Sequence, residues 1–137
     1  MPDNLTSEQR RYAMQRVKSR GTAPELYVRR ALYRAGHGYR LHPTAIPGRP
    51  DIALTRYRLA VFVHGCFWHG HLCPAGKRPA SNVVYWNAKI TRNTERDSRV
   101  RAEIALLGWE CIVIWECQLR HGTTELLSLL ARKAARP

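Results

Sequence analysis

Acidic residues are scarce in this 137-residue chain: 10 Asp and Glu stand against 23 Lys and Arg, a formal charge of +13. A pI near 10.5 is the footprint of a nucleic-acid binder; a basic protein that merely stays soluble, or one lying on anionic membrane, is the alternative. No apolar run approaches the roughly 18 residues of a spanning helix. No helical stretch has the broad aliphatic and aromatic face of a membrane-surface helix. Nothing at the N-terminus resembles a signal peptide, so a soluble, cytoplasmic protein is expected. Internal repeats and low-complexity tracts are absent. Cysteine is sparse too, with four residues, and in a reducing compartment these favour metal ligation over disulfides.

What is present describes a folded chain. Hydrophobic content is 45% with four tryptophans, and the length suits one domain spanning 1–137. A basic helix is expected over about 6–20, with Thr6 or Ser7 as cap and Met14 as its notable apolar side chain. It is either a solvated face or an arm laid along DNA. After Gly21, Thr22 and Glu25 form a capping box, and Glu25, Val28, Leu32 and Ala35 share one stripe of a second helix. Glu25 is thus a cap or an inward-facing carboxylate.

Short strands are expected at 39–42, 52–54, 59–63 and 111–115. The longest helix should run from Tyr85 to Leu107, and a last one from 123 to 132, with short tails at 1–4 and 132–137. On the long helix, Trp86, Ile90, Asn93, Asp97, Val100, Ile104 and Leu107 form one stripe. Asn93 and Asp97 are costly to bury there without partners, which points to a cleft. Lys89, Arg92, Arg96 and Arg99 form a purely basic stripe suited to phosphate contacts. The pattern is α/β, helices flanking a mixed sheet.

The chain is organised around 61–73, Val-Phe-Val-His-Gly-Cys-Phe-Trp-His-Gly-His-Leu-Cys. A structural zinc ion takes four thiolate or imidazole ligands. Cys111 and Cys117 are separated by roughly 20 Å along a strand, so they cannot share one ion. Cys111 lies within an apolar run and reads as an ordinary buried thiol. That leaves Cys66, His71, Cys73 and Cys117, free loop cysteines being the alternative. His64 and His69 remain, with Asp97 on the facing stripe as a carboxylate to orient a histidine base. Asp51, after Pro50 at the mouth of a strand, punctuates a turn or supplies oxygen to magnesium. A basic protein with these groups suggests phosphodiester hydrolysis.

Gly48-Arg49-Pro50-Asp51, His64-Gly65-Cys66-Phe67-Trp68-His69, Glu95-Arg96-Asp97 and Trp115-Glu116-Cys117 together closely resemble the very-short-patch repair endonucleases, the Vsr family. The resemblance runs from about Met14 to Leu119. It implies a restriction-endonuclease-like three-layer fold with a structural zinc site. It also implies a magnesium-dependent enzyme that nicks one strand beside the thymine of a T:G mismatch, the product of 5-methylcytosine deamination. Carried over by position, Asp51 and the backbone carbonyl of Val63 hold magnesium, and Glu25 lies near the metal's waters. His69 with Asp97 is the base pair, and His64 sits by the scissile phosphate. Cys66, His71, Cys73 and Cys117 match the zinc ligands. Phe67 and Trp68, with Trp86 alongside, match a wedge in the base stack. Met14 enters from the opposite groove, and Lys89 and Asn93 hydrogen-bond the wobble pair.

Phe62-Val63-His64 stands where restriction nucleases carry Glu-x-Lys, a substitution the family shares, and Val63 replaces a threonine of a well-known member. The chain also ends sooner after the last helix than some members do. The expected partners are mismatched duplex DNA, other mismatch-repair proteins and a repair polymerase, with the protein a monomer on the bacterial nucleoid. Two alternatives stay open: a nickase of this fold with broader mismatch or sequence tolerance, and a non-catalytic zinc-stabilised DNA-binding module.

Overall fold

Alternation of side chains along three short strands sorts the core onto two faces of a sheet. In the computed structural model, residues 21–77 and 79–135 are described. The basic arm expected over 6–20, with Met14, lies outside them. In chain order the elements are α1 (Ala23–Arg34), β1 (Arg40–Leu41), β2 (Ile52–Leu54), β3 (Leu59–His64), α2 (Val83–Leu106), β4 (Glu110–Trp115) and α3 (Leu119–Ala134). The strands lie in the order β1-β2-β3-β4. The first two pairings are antiparallel and β3 runs parallel to β4. A parallel pair needs a long crossover, and α2 supplies it.

Ile52, Leu54, Leu59, Val61 and Ile114 face Val28 and Leu32 of α1 and Leu126 and Leu130 of α3. Ala53 and Ala60 face the other way, onto Ile104 of α2, with Phe62, Val100 and Cys111 beside them. Helices therefore cover both faces of a mixed four-stranded sheet. Each fully buried Leu or Ile contributes about 1.5–3 kcal/mol, so the period-two pattern strongly specifies the register.

Several boundaries differ from the sequence expectation, among them the start of α2 at Val83 rather than Tyr85. The strand expected over 39–42 is only Arg40–Leu41, because His42 takes a left-handed backbone, φ 46°, that cannot continue a ladder. The stripe on α2 stops at Ile104; Leu107 lies past the helix end and is exposed. The last helix begins at Leu119 rather than 123 and runs to Ala134, so residues 132–134 are helical and not tail. Gly122, which ordinarily weakens a helix, is required inside this one. A Cβ there would stand 2.9 Å from Ile114 Cγ2, so glycine lets α3 lie close on β4.

Candidate active site

The C-terminal end of β3 and the start of the following loop carry most of the site. Period-two alternation turns His64 to the α2 face with Ala60 and Phe62. There it is buried and stacks on His69, ring centroids 3.7 Å apart and planes 2° from parallel. His69 Nδ1 lies 2.5 Å from Asp97 Oδ2. Asp97 is on the inward stripe of α2, so the helix delivers the carboxylate that the cleft argument anticipated. Burial pushes the Asp97 carboxyl up, but the hydrogen bond and charge of His69 outweigh it and hold the group below the usual carboxylate value. Burial, reinforced by His69, pulls His64 down to about 3. His64 is therefore a neutral imidazole at physiological pH.

Asp51 sits just before β2, where its Oδ2 accepts a 2.7 Å hydrogen bond from the Val63 N–H. Burial raises its carboxyl above the ordinary value despite that bond. The same carboxylate senses the charge of Glu25, His42 and His69, so it joins the histidine pair to a second cluster. In that cluster Glu25, His42 and Asp51 bring one ligand atom each within 4.8 Å of the others. Glu25 is both a capping residue and an inward-facing carboxylate. Its backbone N–H donates to Thr22 Oγ1, whereas its side chain accepts from the Gly21 N–H and is buried at 2% exposure. The reciprocal half of the box has moved one residue upstream.

A third cluster collects Cys66, His71, Cys73 and Cys117, again within 4.8 Å. Four ligands at about 2.3 Å in a tetrahedron stand about 3.8 Å apart, so thiolates and imidazole at this spacing fit a zinc ion. The fold builds the cluster from a tight loop and from Cys117, just past β4. Gly76 makes the loop possible, since a Cβ there would stand 2.0 Å from the His71 carbonyl oxygen. Burial pushes the Cys66 thiol up to about 12, and a bound dication offsets that cost by ionising the thiol. At Cys73 burial pulls upward, but hydrogen bonds from His71 and Cys66 prevail and bring it to about 7. Cys111, set apart in β4, is raised by burial, as the ordinary-thiol expectation has it.

Phe67, Trp68 and Trp86 meet edge-on in one aromatic group, with centroids 5.2–6.0 Å apart. Trp86 is 3% exposed and forms its floor, while Phe67 and Trp68 are partly exposed. Lys89 Nζ lies 5.3 Å above the Trp68 ring. Asn93 Nδ2 donates to the Trp68 carbonyl at 2.9 Å. Lys89 and Asn93, expected at the wobble pair, here hold Trp68. Farther along α2, Arg92, Arg96 and Arg99 line a groove with them.

Sequence reasoning missed three residues. His42 follows a two-residue strand and no motif marks it. Trp115 is paired with His64 in the β3–β4 register; it stacks on His71 at 4.1 Å and meets His64 edge-on at 5.2 Å. Its place in the Trp115-Glu116-Cys117 motif was the available signal; the contact with His64 depends on the strand register, which sequence does not give. Arg101 lines a 20 Å³ cavity beside His64, Asp97 and Cys111; the spacing from Asp97 to Arg101 in one helix could have suggested it.

The profile of the family described as DNA mismatch endonuclease Vsr matches residues 2–75. The chain is 49% identical over 119 residues to the type II nicking enzyme V.XorIIP of Xanthomonas oryzae pv. oryzae, covering 87% of this chain and 88% of that protein. It is 42% identical over 135 residues to V.NmeAIP of Neisseria meningitidis, covering 97% and 96%. It is also 40% identical over 107 residues to the DNA mismatch endonuclease Vsr of Escherichia coli, covering 78% and 69%. Among the described residues no helix is long and apolar enough to cross a membrane.

Proposed function

The chain belongs to the Vsr family of DNA mismatch endonucleases, and on that footing we propose that it nicks one strand of duplex DNA beside the thymine of a T:G mismatch. Magnesium is the ion of the Asp51 cluster and zinc that of the cysteine cluster. The observation that carries the proposal is the His69–Asp97 hydrogen bond, 2.5 Å long, stacked on a neutral His64 next to Asp51. The sheet and its flanking helices serve as a restriction-endonuclease-like frame.

The contacts support a role for each residue. Asp97 keeps the proton of His69 on Nδ1, leaving Nε2 to take a proton from the attacking water. The water oxygen bonds to phosphorus as the bond to the leaving sugar oxygen breaks. His64, neutral at working pH, offers a hydrogen bond to the scissile phosphate without an added charge. Asp51 accepts from the Val63 N–H, and because a strand residue directs its N–H and C=O to the same side, the Val63 carbonyl and the carboxylate form an oxygen-rich pair suited to a hard cation. Magnesium, when bound there with Glu25 nearby, offsets the negative charge of the phosphate.

Recognition uses the aromatic group. Phe67 and Trp68 wedge into the stack over the Trp86 floor, and Lys89 and Asn93 reach the wobble pair once DNA frees them from Trp68. Unstacking costs a few kcal/mol per step and least at a mismatch, which itself contributes selectivity. Arg92, Arg96 and Arg99 contact phosphates, and Met14 approaches from the opposite groove. The enzyme acts as a monomer on nucleoid DNA in the cytoplasm, upstream of a repair polymerase and beside other mismatch-repair proteins.

The test is strand cleavage of end-labelled duplexes bearing T:G, U:G, other mismatches or full pairing, in several flanking contexts. A single magnesium-dependent nick at T:G, absent in Asp51→Ala, is expected. Nicking at several mismatches replaces the narrow specificity with the broader nickase. Tight binding without cleavage under any divalent ion leaves only a binding module.

A further inference from the structure

His42 has no place in the functional reading above, yet it is the third member of the Glu25–Asp51 cluster. Its ring is largely buried, with Nε2 2.9 Å from Glu25 Oε1 and Nδ1 3.9 Å from Asp51 Oδ1. Its backbone sits in the left-handed region, φ 46°, which is strained for a non-glycine residue. That conformation ends β1 and directs the imidazole between two carboxylates. Glu25 Oε1 is fully buried and accepts no hydrogen bond among the described residues. Its close polar neighbour is His42 Nε2 at 2.9 Å, and a buried carboxylate oxygen without a hydrogen bond is costly, so an ion held between the two would offset that cost.

We propose that His42 is a direct nitrogen ligand, joining Asp51 and Glu25 in a mixed oxygen–nitrogen site that takes a first-row transition dication such as manganese more tightly than magnesium. The inference rests on the cation-site reading of Asp51. Adjacent ligands of an octahedral ion at about 2.1 Å stand about 3.0 Å apart, close to the separation of Nε2 and Oε1. Two carboxylates alone suit magnesium, calcium and manganese alike, whereas imidazole adds affinity in the Irving–Williams sense, toward manganese and the metals beyond it. His64, His69 and Asp97 also bring ligand atoms within 4.8 Å of one another, so loss of nitrogen coupling in a His42 variant is what assigns the coupling to His42.

The probe is Mn2+ added to the zinc-loaded full chain, followed by loss of the free-ion EPR signal and by pulsed EPR for coupling to imidazole nitrogen. Wild-type protein is expected to show nitrogen coupling on a bound Mn2+ that Mg2+ displaces only in large excess. His42→Gln, which keeps a polar side chain of similar reach, should lose that coupling. The Mn2+-to-Mg2+ affinity ratio should fall about tenfold or more, as ligand-shell changes typically do. Mn2+ bound through Asp51 but without nitrogen coupling in the wild type overturns the role of His42 and leaves the Asp51 site standing. Mn2+ binding that survives Asp51→Asn places the ion elsewhere and overturns the cation-site reading as well. The wild-type spectrum decides the first point even where a variant folds poorly.

Discussion

His69 Nδ1 and Asp97 Oδ2 are 2.5 Å apart although 28 positions separate them in the chain. The loop after β3 and the middle of α2 are thereby joined at the site of the proposed proton transfer. Asp97→Asn keeps the shape and can impose the wrong tautomer on His69. Nicking should fall about 10²–10⁴-fold, with DNA affinity changed little. Single-turnover cleavage beside a binding isotherm separates the two, and a matching loss of affinity would make Asp97 a structural residue only.

Cys117 ties the strand end at Trp115 to the 66–73 loop. Cys117→Ser should leave the protein unable to retain one equivalent of zinc after gel filtration, measured by elemental analysis. Because ligand binding and folding are linked in such clusters, the loop carrying Phe67 and Trp68 should become protease-sensitive. Chelation of wild-type protein should reproduce both effects.

Gly48 combines a left-handed backbone, φ 76°, with a position whose Cβ would stand 2.3 Å from Val100 Cγ1. It locks the Asp51 turn against α2. Gly48→Ala should cost about 2–4 kcal/mol, from overpacking and the backbone penalty together. Gly38→Ala is the control, since a Cβ there meets nothing within 4 Å. Chemical denaturation of both variants gives the comparison, and equal midpoints would show that α2 yields freely to the turn.

His64 supplies a pH signature. Its unfolded form takes a proton below 6.5, its folded form only near 3. Between those values the unfolded state binds more protons, so stability falls as pH falls and levels off below the folded value. The slope approaches about 1.4 kcal/mol per pH unit only well below pH 6.5. Urea melts of wild type and His64→Asn at pH 7, 6 and 5.5 should diverge by about 1.2 kcal/mol in total over that range.

Trp68 stands over Lys89 and is held at its carbonyl by Asn93. Trp68→Ala should lower T:G nicking at least tenfold while cleaving residual substrates with less mismatch preference, because a base–aromatic stack is worth about 1–3 kcal/mol. The ratio of kcat/KM for mismatched and paired duplexes reads this directly. A uniform loss on both would assign Trp68 to the core of the loop instead.

The sequence by itself determined the sheet's two faces, the basic character and the membership of each chemical cluster but one. The continuous apolar run at 59–63, which marks a buried strand, and the 3.6-residue stripe of α2 are local properties, and the stripe puts Asp97 inward. The Cys66–Cys73 spacing is local as well; the rise of a strand kept Cys111 and Cys117 from sharing an ion, and the apolar run around Cys111 chose between them. Tertiary structure decided what local rules could not. His42 reaches Glu25 and Asp51 because its backbone turns left-handed, an outcome no propensity favours. Trp115 meets His64 and His71 only through the β3–β4 register. Gly122 continues a helix because Ile114 comes within contact range, so burial against a partner strand overrode the weak helix propensity of glycine. Each of these depends on an atom supplied from a distant part of the chain, and that is the information a one-dimensional pattern does not carry.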